Sequence, residues 1–145
     1  MHFLISYRRG LNLYTMKDKL KILIVEDEGI VAFDLRQTLE KLGYSVTSSA
    51  SSGMEAIEKV DNDNPDIILM DIKLKSALDG IDTARIISLR HRIPIIYLTS
   101  YHNDDIRKRA KTTPAAAFLL KPYDEQKLKT TIEKVMSGFD EGANG

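Results

Sequence analysis

The chain has 145 residues, with 21 basic side chains against 21 acidic ones, a formal net charge of zero and no cysteine. That length supports one domain with a sizeable core, and the charge balance lacks the basic footprint of a nucleic-acid binder. The missing thiols exclude disulfides, thiol catalysis and thiolate metal sites.

Residues 1–18 read as an N-terminal extension. MHFLISYRRGLNLYT is only briefly apolar, carries Arg8-Arg9, and lacks the sustained apolar core and small-residue cleavage site of a secretory signal. Met16 stands just before the first strong strand, so an upstream-extended gene start is the preferred reading, with a natural arm as the alternative. The domain proper is expected over residues 19–137, followed by a flexible tail over 138–145 that holds three glycines. No apolar run approaches the roughly 20 residues that span a bilayer, and a cytoplasmic location is expected.

Within the domain, five strand candidates alternate with five helix candidates. The first strand is Lys21 to Glu26. The helix after it places Val31, Leu35, Leu39 and Leu42 on one stripe, and Gly43 stops it. Ser45 to Ser49 is a shorter, less apolar strand that suits a sheet edge. Ser51 or Ser52 caps the second helix, Ala56, Ile57 and Val60 form its buried face, and Asn62-Asp63-Asn64-Pro65 ends it. Asp66 to Met70 is a continuously apolar strand, as one covered on both faces should be.

Asp79-Gly80 opens the third helix, with Ile81, Ala84 and Ile87 inward, and Pro94 begins the fourth strand. The fourth helix, Asp104 to Lys111, is short and charged, with Ile106 and Ala110 as anchors. The fifth strand is Ala116 to Leu120. The last helix carries Leu128, Ile132, Val135 and Met136. Such alternation predicts an α/β fold: a parallel five-stranded sheet with helices on both faces. Chemistry favours the strand order 2-1-3-4-5, which gathers the ends of strands one, three, four and five near one switch point.

Those ends carry Glu26-Asp27, Asp71, Thr99 and Lys121. Three clustered carboxylates raise one another's proton affinity unless a cation intervenes, and an oxygen-only ligand set suits Mg2+ or Mn2+. Asp71 is the candidate nucleophile toward phosphorus, with the Lys121 ammonium and the Thr99 hydroxyl against the transferred oxygens. Each residue alone has a structural explanation; their convergence on four strand exits argues for a phosphoryl site.

ILIVEDE (22–28), ILMDI (68–72), DGI (79–81), PIIYLTSY (94–101) and FLLKPY (118–123) occur in that order. The chain thus resembles the receiver domain of two-component response regulators, the CheY-like superfamily, over about residues 19–137. The resemblance implies that Asp27 binds Mg2+ directly, Glu26 acts through water, and the Lys73 backbone carbonyl completes the protein's ligands. It implies that Asp71 accepts a phosphoryl group from a sensor histidine kinase, with Thr99 and Lys121 sensing it. Phe118 matches the aromatic switch residue, and Lys121-Pro122 matches a bond that is usually cis.

Some features depart from the common pattern. The loop KLKSAL lacks the usual proline and is one residue longer, as in receivers that stand alone or accompany sensor kinases. Phe118 lacks a hydroxyl, and Pro114-Ala115-Ala116 replaces a Gly-Ala turn. Output is expected through a downstream protein or a homodimer, using the fourth helix, fifth strand and fifth helix, where Arg107, Lys108, Arg109 and Lys111 could pair with a partner's acids. Direct binding to nucleic acid or membrane is not expected, nor is an enzyme in the ordinary sense. Lys73 and Tyr101 are expected to shield the phosphorus and slow hydrolysis.

Three alternative folds or roles each want a feature that this chain lacks or would not need. A Mg2+-dependent phosphohydrolase of haloacid-dehalogenase type would want a second acid where Lys73 stands. An unphosphorylated module of the same fold would have no need of the full set of site groups. A nucleotide-binding domain would want a Gly-rich loop where Glu26-Asp27-Glu28-Gly29 stands.

Overall fold

A computed structural model describes residues 19–100 and 103–144. The expectations for residues 1–18 and for Tyr101 lie outside the described residues. The elements are β1 (Lys21–Val25), α1 (Gly29–Lys41), β2 (Ser45–Ala50), α2 (Gly53–Asp63), β3 (Ile67–Asp71), α3 (Gly80–Ser88), β4 (Ile95–Thr99), α4 (Asp104–Lys111), β5 (Ala117–Leu120) and α5 (Glu125–Asn144). The strands form one sheet in the order β2-β1-β3-β4-β5, every neighbouring pair parallel. The chain steps from β1 outward to β2 and then back across to β3. That reversal opens a crevice at the carboxyl ends of β1 and β3.

The period-two alternation of side chains splits each central strand between two cores. Leu23, Val25, Ile68, Met70, Ile95 and Tyr97 face α2, α3 and α4. Ile22, Ile24, Ile67, Leu69, Ile96 and Leu98 face α1 and α5. Every residue of β3 and β4 is buried, which explains their unbroken apolar text. β2, at the edge, buries only Val46 and Ala50.

Helix starts follow local chemistry. Ser52 caps α2 by accepting from the Glu55 N–H at 3.2 Å. Asp79 caps α3 in a reciprocal box with Asp82. On α1 the expected stripe holds at Leu35 and Leu39, while Val31 is exposed at 37%. α5 continues to Asn144, so most of the segment expected to be a loose tail is helical. Phe139 is half-buried there, and the Arg92 guanidinium stands 5.3 Å from its ring centroid.

Candidate functional site

Glu26 continues β1 by one residue, its N–H donating to Ala50 O at 2.9 Å. The pairing of Val25 with Met70 sets Glu26 beside Asp71, the last residue of β3. Asp27 leaves the strand, and its Oδ2 accepts from the Lys75 N–H at 2.8 Å, fastening the β3–α3 loop to the β1–α1 turn. One carboxylate oxygen from each of Glu26, Asp27 and Asp71 lies within 4.8 Å of the others. The pairings Asp71 with Leu98 and Thr99 with Leu120 bring β4 and β5 to the same rim. The Lys121 N–H donates to Thr99 O at 2.9 Å, and the Lys121-Pro122 bond is cis. Glu26, Asp27, Asp71, Thr99 and Lys121 therefore share one rim.

The carboxylates are crowded, and two of the three are buried while Asp27 is half-buried. Glu26 is 2% exposed and Asp71 7%. Glu26 Oε2 accepts from the Glu28 N–H at 3.0 Å, whereas Oε1 is buried without a hydrogen-bond partner. Lys121 Nζ stands between the two acids, 3.7 Å from Glu26 Oε1 and 3.8 Å from Asp71 Oδ1. Burial, opposed by the Glu28 N–H bond and reinforced by the Asp71 charge, pushes Glu26 up to about 7. Burial also raises the Tyr123 phenol, helped by the charges of Glu26 and Asp71. An orphaned buried oxygen among three hard ligands is what a divalent cation would satisfy, so the residues fit such an ion.

Asp71 is oriented by the Lys73 N–H, which donates to Oδ1 at 3.2 Å, while the Lys73 side chain is exposed. Thr99 is buried at 4%. Phe118 is 37% exposed, its ring centroid 5.5 Å from that of Tyr97 at a 50° tilt.

Several contributors escaped the sequence reading. Lys75 clamps Asp27 through its backbone, which no side-chain pattern reports. Tyr123 reaches the site's field from just past Lys121-Pro122, where its place in FLLKPY was the available signal. Gly80 abuts Asp71: a Cβ there would meet the Asp71 carbonyl oxygen and lie 2.8 Å from Ile72 Cα. DGI signalled a helix start but not this close approach. Arg109, expected to serve partners, is engaged within the chain by Asp79 and Asp82, 30 and 27 residues away in sequence. Among the described residues no helix is long and apolar enough to cross a membrane.

Comparison with known proteins agrees with this geometry. The family model described as the response regulator receiver domain matches residues 22–133. The chain is similar to the transcriptional regulatory protein PdtaR of Mycobacterium tuberculosis, 36% identical over 83% of this chain and 58% of that protein. Sporulation initiation phosphotransferase F of Bacillus subtilis is 30% identical over 80% of this chain and 93% of its own length. Among solved structures, the signal receiver domain of a modulated diguanylate cyclase from Desulfovibrio desulfuricans G20 superposes with a TM-score of 0.80 at 36% identity, covering 85% of this chain and 98% of that one. The chain spans little more than half the length of PdtaR, so what they share is a receiver module. With the strand order, the acid cluster and the matched 22–133 segment in agreement, the chain belongs to the response regulator receiver domain family, whose members are regulatory phosphoacceptor modules and not conventional enzymes.

Proposed function

We propose that Asp71 takes a phosphoryl group from a phosphorylated histidine of a sensor kinase. The observation that carries this is the convergence of buried Glu26 and Asp71 with half-buried Asp27, and of Lys121 between Glu26 and Asp71. A carboxylate oxygen of Asp71 attacks phosphorus, the O–P bond forms as the N–P bond breaks, and the imidazole leaves, regaining a proton from water. The Lys73 N–H fixes the plane of the attacking carboxyl group. Lys121 swings its ammonium from the acids to the transferred oxygens, and the Thr99 hydroxyl donates to another. Glu26, Asp27, Asp71 and the Lys73 carbonyl would hold Mg2+, or Mn2+ in its place. When bound, the ion neutralises the charge gathered on carboxylates and phosphoryl oxygens.

Phosphorylation then biases a surface formed by α4, β5 and α5, with Phe118 turning into space vacated by Thr99, and a protein target or a second copy reads that surface. A cytoplasmic location goes with this reading, since a kinase that draws its phosphoryl group from ATP works where ATP is abundant.

The test is intact mass after incubation with acetyl phosphate and Mg2+. One added phosphate, absent from Asp71→Asn and absent when Mg2+ is chelated, is expected. A phosphate retained in Asp71→Asn would move the acceptor elsewhere.

A further inference from the structure

α4 is weakly seated by apolar contacts. Of its eight residues it buries Ala110 and half-buries Ile106, while the remainder is charged. A helix that short with so little apolar burial needs other fastenings. Arg109 supplies one. It donates from one guanidinium nitrogen to Asp79 Oδ2 at 2.8 Å and from the other to Asp79 Oδ1 at 3.4 Å and Asp82 Oδ1 at 3.2 Å. Beside it Arg85 donates to Thr112 Oγ1 at 2.6 Å, again joining α3 to the end of α4.

The acids that Arg109 grips form the cap of α3. Asp79 Oδ1 accepts from the Asp82 N–H at 2.8 Å, and the Asp79 N–H donates back to Asp82 Oδ2 at 3.4 Å. The next residue, Gly80, donates its N–H to Ile72 O at 2.8 Å and lies so close to the Asp71 and Ile72 backbone that a methyl group would not fit. From Asp71 to α4 the path is therefore short and polar: backbone against Gly80, cap at Asp79, fork at Arg109. Between loop and helix a cleft of about 230 Å3, lined by Ile72, Lys73, Leu74, Asp79, Ile106 and Arg109, leaves room for relative movement.

A single exposed ion pair carries little energy. A forked arginine that spans two acids, one of them capping a helix, is the kind that carries more. We propose that Arg109 is a positioning residue: by gripping Asp79 and Asp82 together it fastens α4 to the loop that leaves Asp71. A displacement of the loop then reaches α4 without passing through Thr99 or Phe118. The part that concerns signalling rests on Asp71 being the phosphoacceptor; the fastening itself does not.

Amide hydrogen exchange on the full chain tests the two parts separately. Asp79→Asn keeps a good cap but loses the charge, Arg109→Gln loses the fork, and Arg109→Lys keeps the charge without the fork. In unphosphorylated protein, Asp79→Asn and Arg109→Gln are expected to speed exchange about fivefold or more in both 104–111 and 72–79, with β1 and β3 unchanged. Arg109→Lys should fall between, and the double variant should match the worse single one. Wild-type exchange in 72–79 of Arg109→Gln would overturn the fastening.

After acetyl phosphate treatment, at equal phosphate content by mass, the change in α4 exchange should shrink in Arg109→Gln by about threefold or more. An undiminished change would overturn the signalling role. A wild type that takes no phosphate would refute the reading of Asp71 and with it that role, while the first measurement still decides the fastening.

Discussion

At the scale of single residues, Glu26 concentrates the strain of the site, since a nearly inaccessible carboxyl group faces Asp71 with one oxygen unbonded. Its folded-state value of about 7 lies above the ordinary 4.5, so folding favours the protonated form. That contribution to stability is full below pH 4.5 and is lost as pH climbs through about 7. Metal-free protein should therefore lose on the order of 2 kcal/mol between pH 4.5 and 7.5 from this group, read by urea unfolding in a chelator. Glu26→Gln should flatten the slope; an unchanged slope would assign the pH dependence to other groups. Gly80→Ala should cost ~1–3 kcal/mol, because the new methyl must displace the Asp71–Ile72 backbone. The same variant should slow labelling by acetyl phosphate, which stopped-flow or timed mass spectra would record. Thr99→Ala should still accept phosphate, yet leave the chemical shifts across β5 nearly where they were before treatment; full wild-type shifts would break the proposed link between Thr99 and Phe118.

Among the elements, the central strands are the most deeply buried, while α4 buries only Ala110. β3 and β4 are wholly buried, so their carboxyl ends hold Asp71 and Thr99 on fixed backbone. α2 illustrates how local chemistry sets a boundary: Ser52→Ala should remove about 1 kcal/mol of stability, measured by urea midpoint, since the Glu55 N–H loses its acceptor. α4 instead depends on Arg109. Burial tends to raise the Asp79 carboxyl, yet the hydrogen bonds from Arg109 and Asp82 together with the Arg109 charge outweigh it and hold the group below its ordinary value. The fastening is accordingly complete above the ordinary carboxylate range and weakens as pH falls through the depressed value. The tilted Tyr97–Phe118 contact and the bond from Tyr97 OH to Thr113 Oγ1, 2.8 Å, place a buried phenol between α4 and β5.

For the whole molecule, the acid crevice of Glu26, Asp27 and Asp71 is where an ion would act on stability. Mg2+ should raise the melting temperature of the wild type in a concentration-dependent way, because an ion held as proposed by the folded crevice has no matching site in the unfolded chain. Asp27→Asn should weaken that dependence while leaving the metal-free protein equally or more stable, since it relieves like-charge crowding and keeps an acceptor for the Lys75 N–H; differential scanning calorimetry with and without Mg2+ checks both. Phosphoryl lifetime is also set at this scale, by what the assembled rim puts around phosphorus. Lys73→Asn should shorten it, since the exposed lysine offers no group to orient water and an amide does. A decay rate equal to wild type would remove Lys73 from the shielding role.

The α/β class and the placing of Glu26, Asp27, Asp71, Thr99 and Lys121 at strand exits were legible along the chain, whereas the strand order had to be argued from the chemistry those exits suggest. The reason is that strands covered on both faces must read as unbroken apolar runs, and whatever polar residue ends such a run sits at the sheet's rim. Tertiary structure alone decided what depends on distant segments meeting. Asp27 is clamped from 48 residues away by a backbone N–H, and Arg109 is turned inward by acids 30 and 27 residues upstream. Gly80 is required by a carbonyl it touches only in the folded chain, and α5 runs through glycines that looked like an ending. Patterns along a chain encode burial and helix starts because those are local; charge pairing and close backbone approach are set by which elements become neighbours, and only packing fixes that.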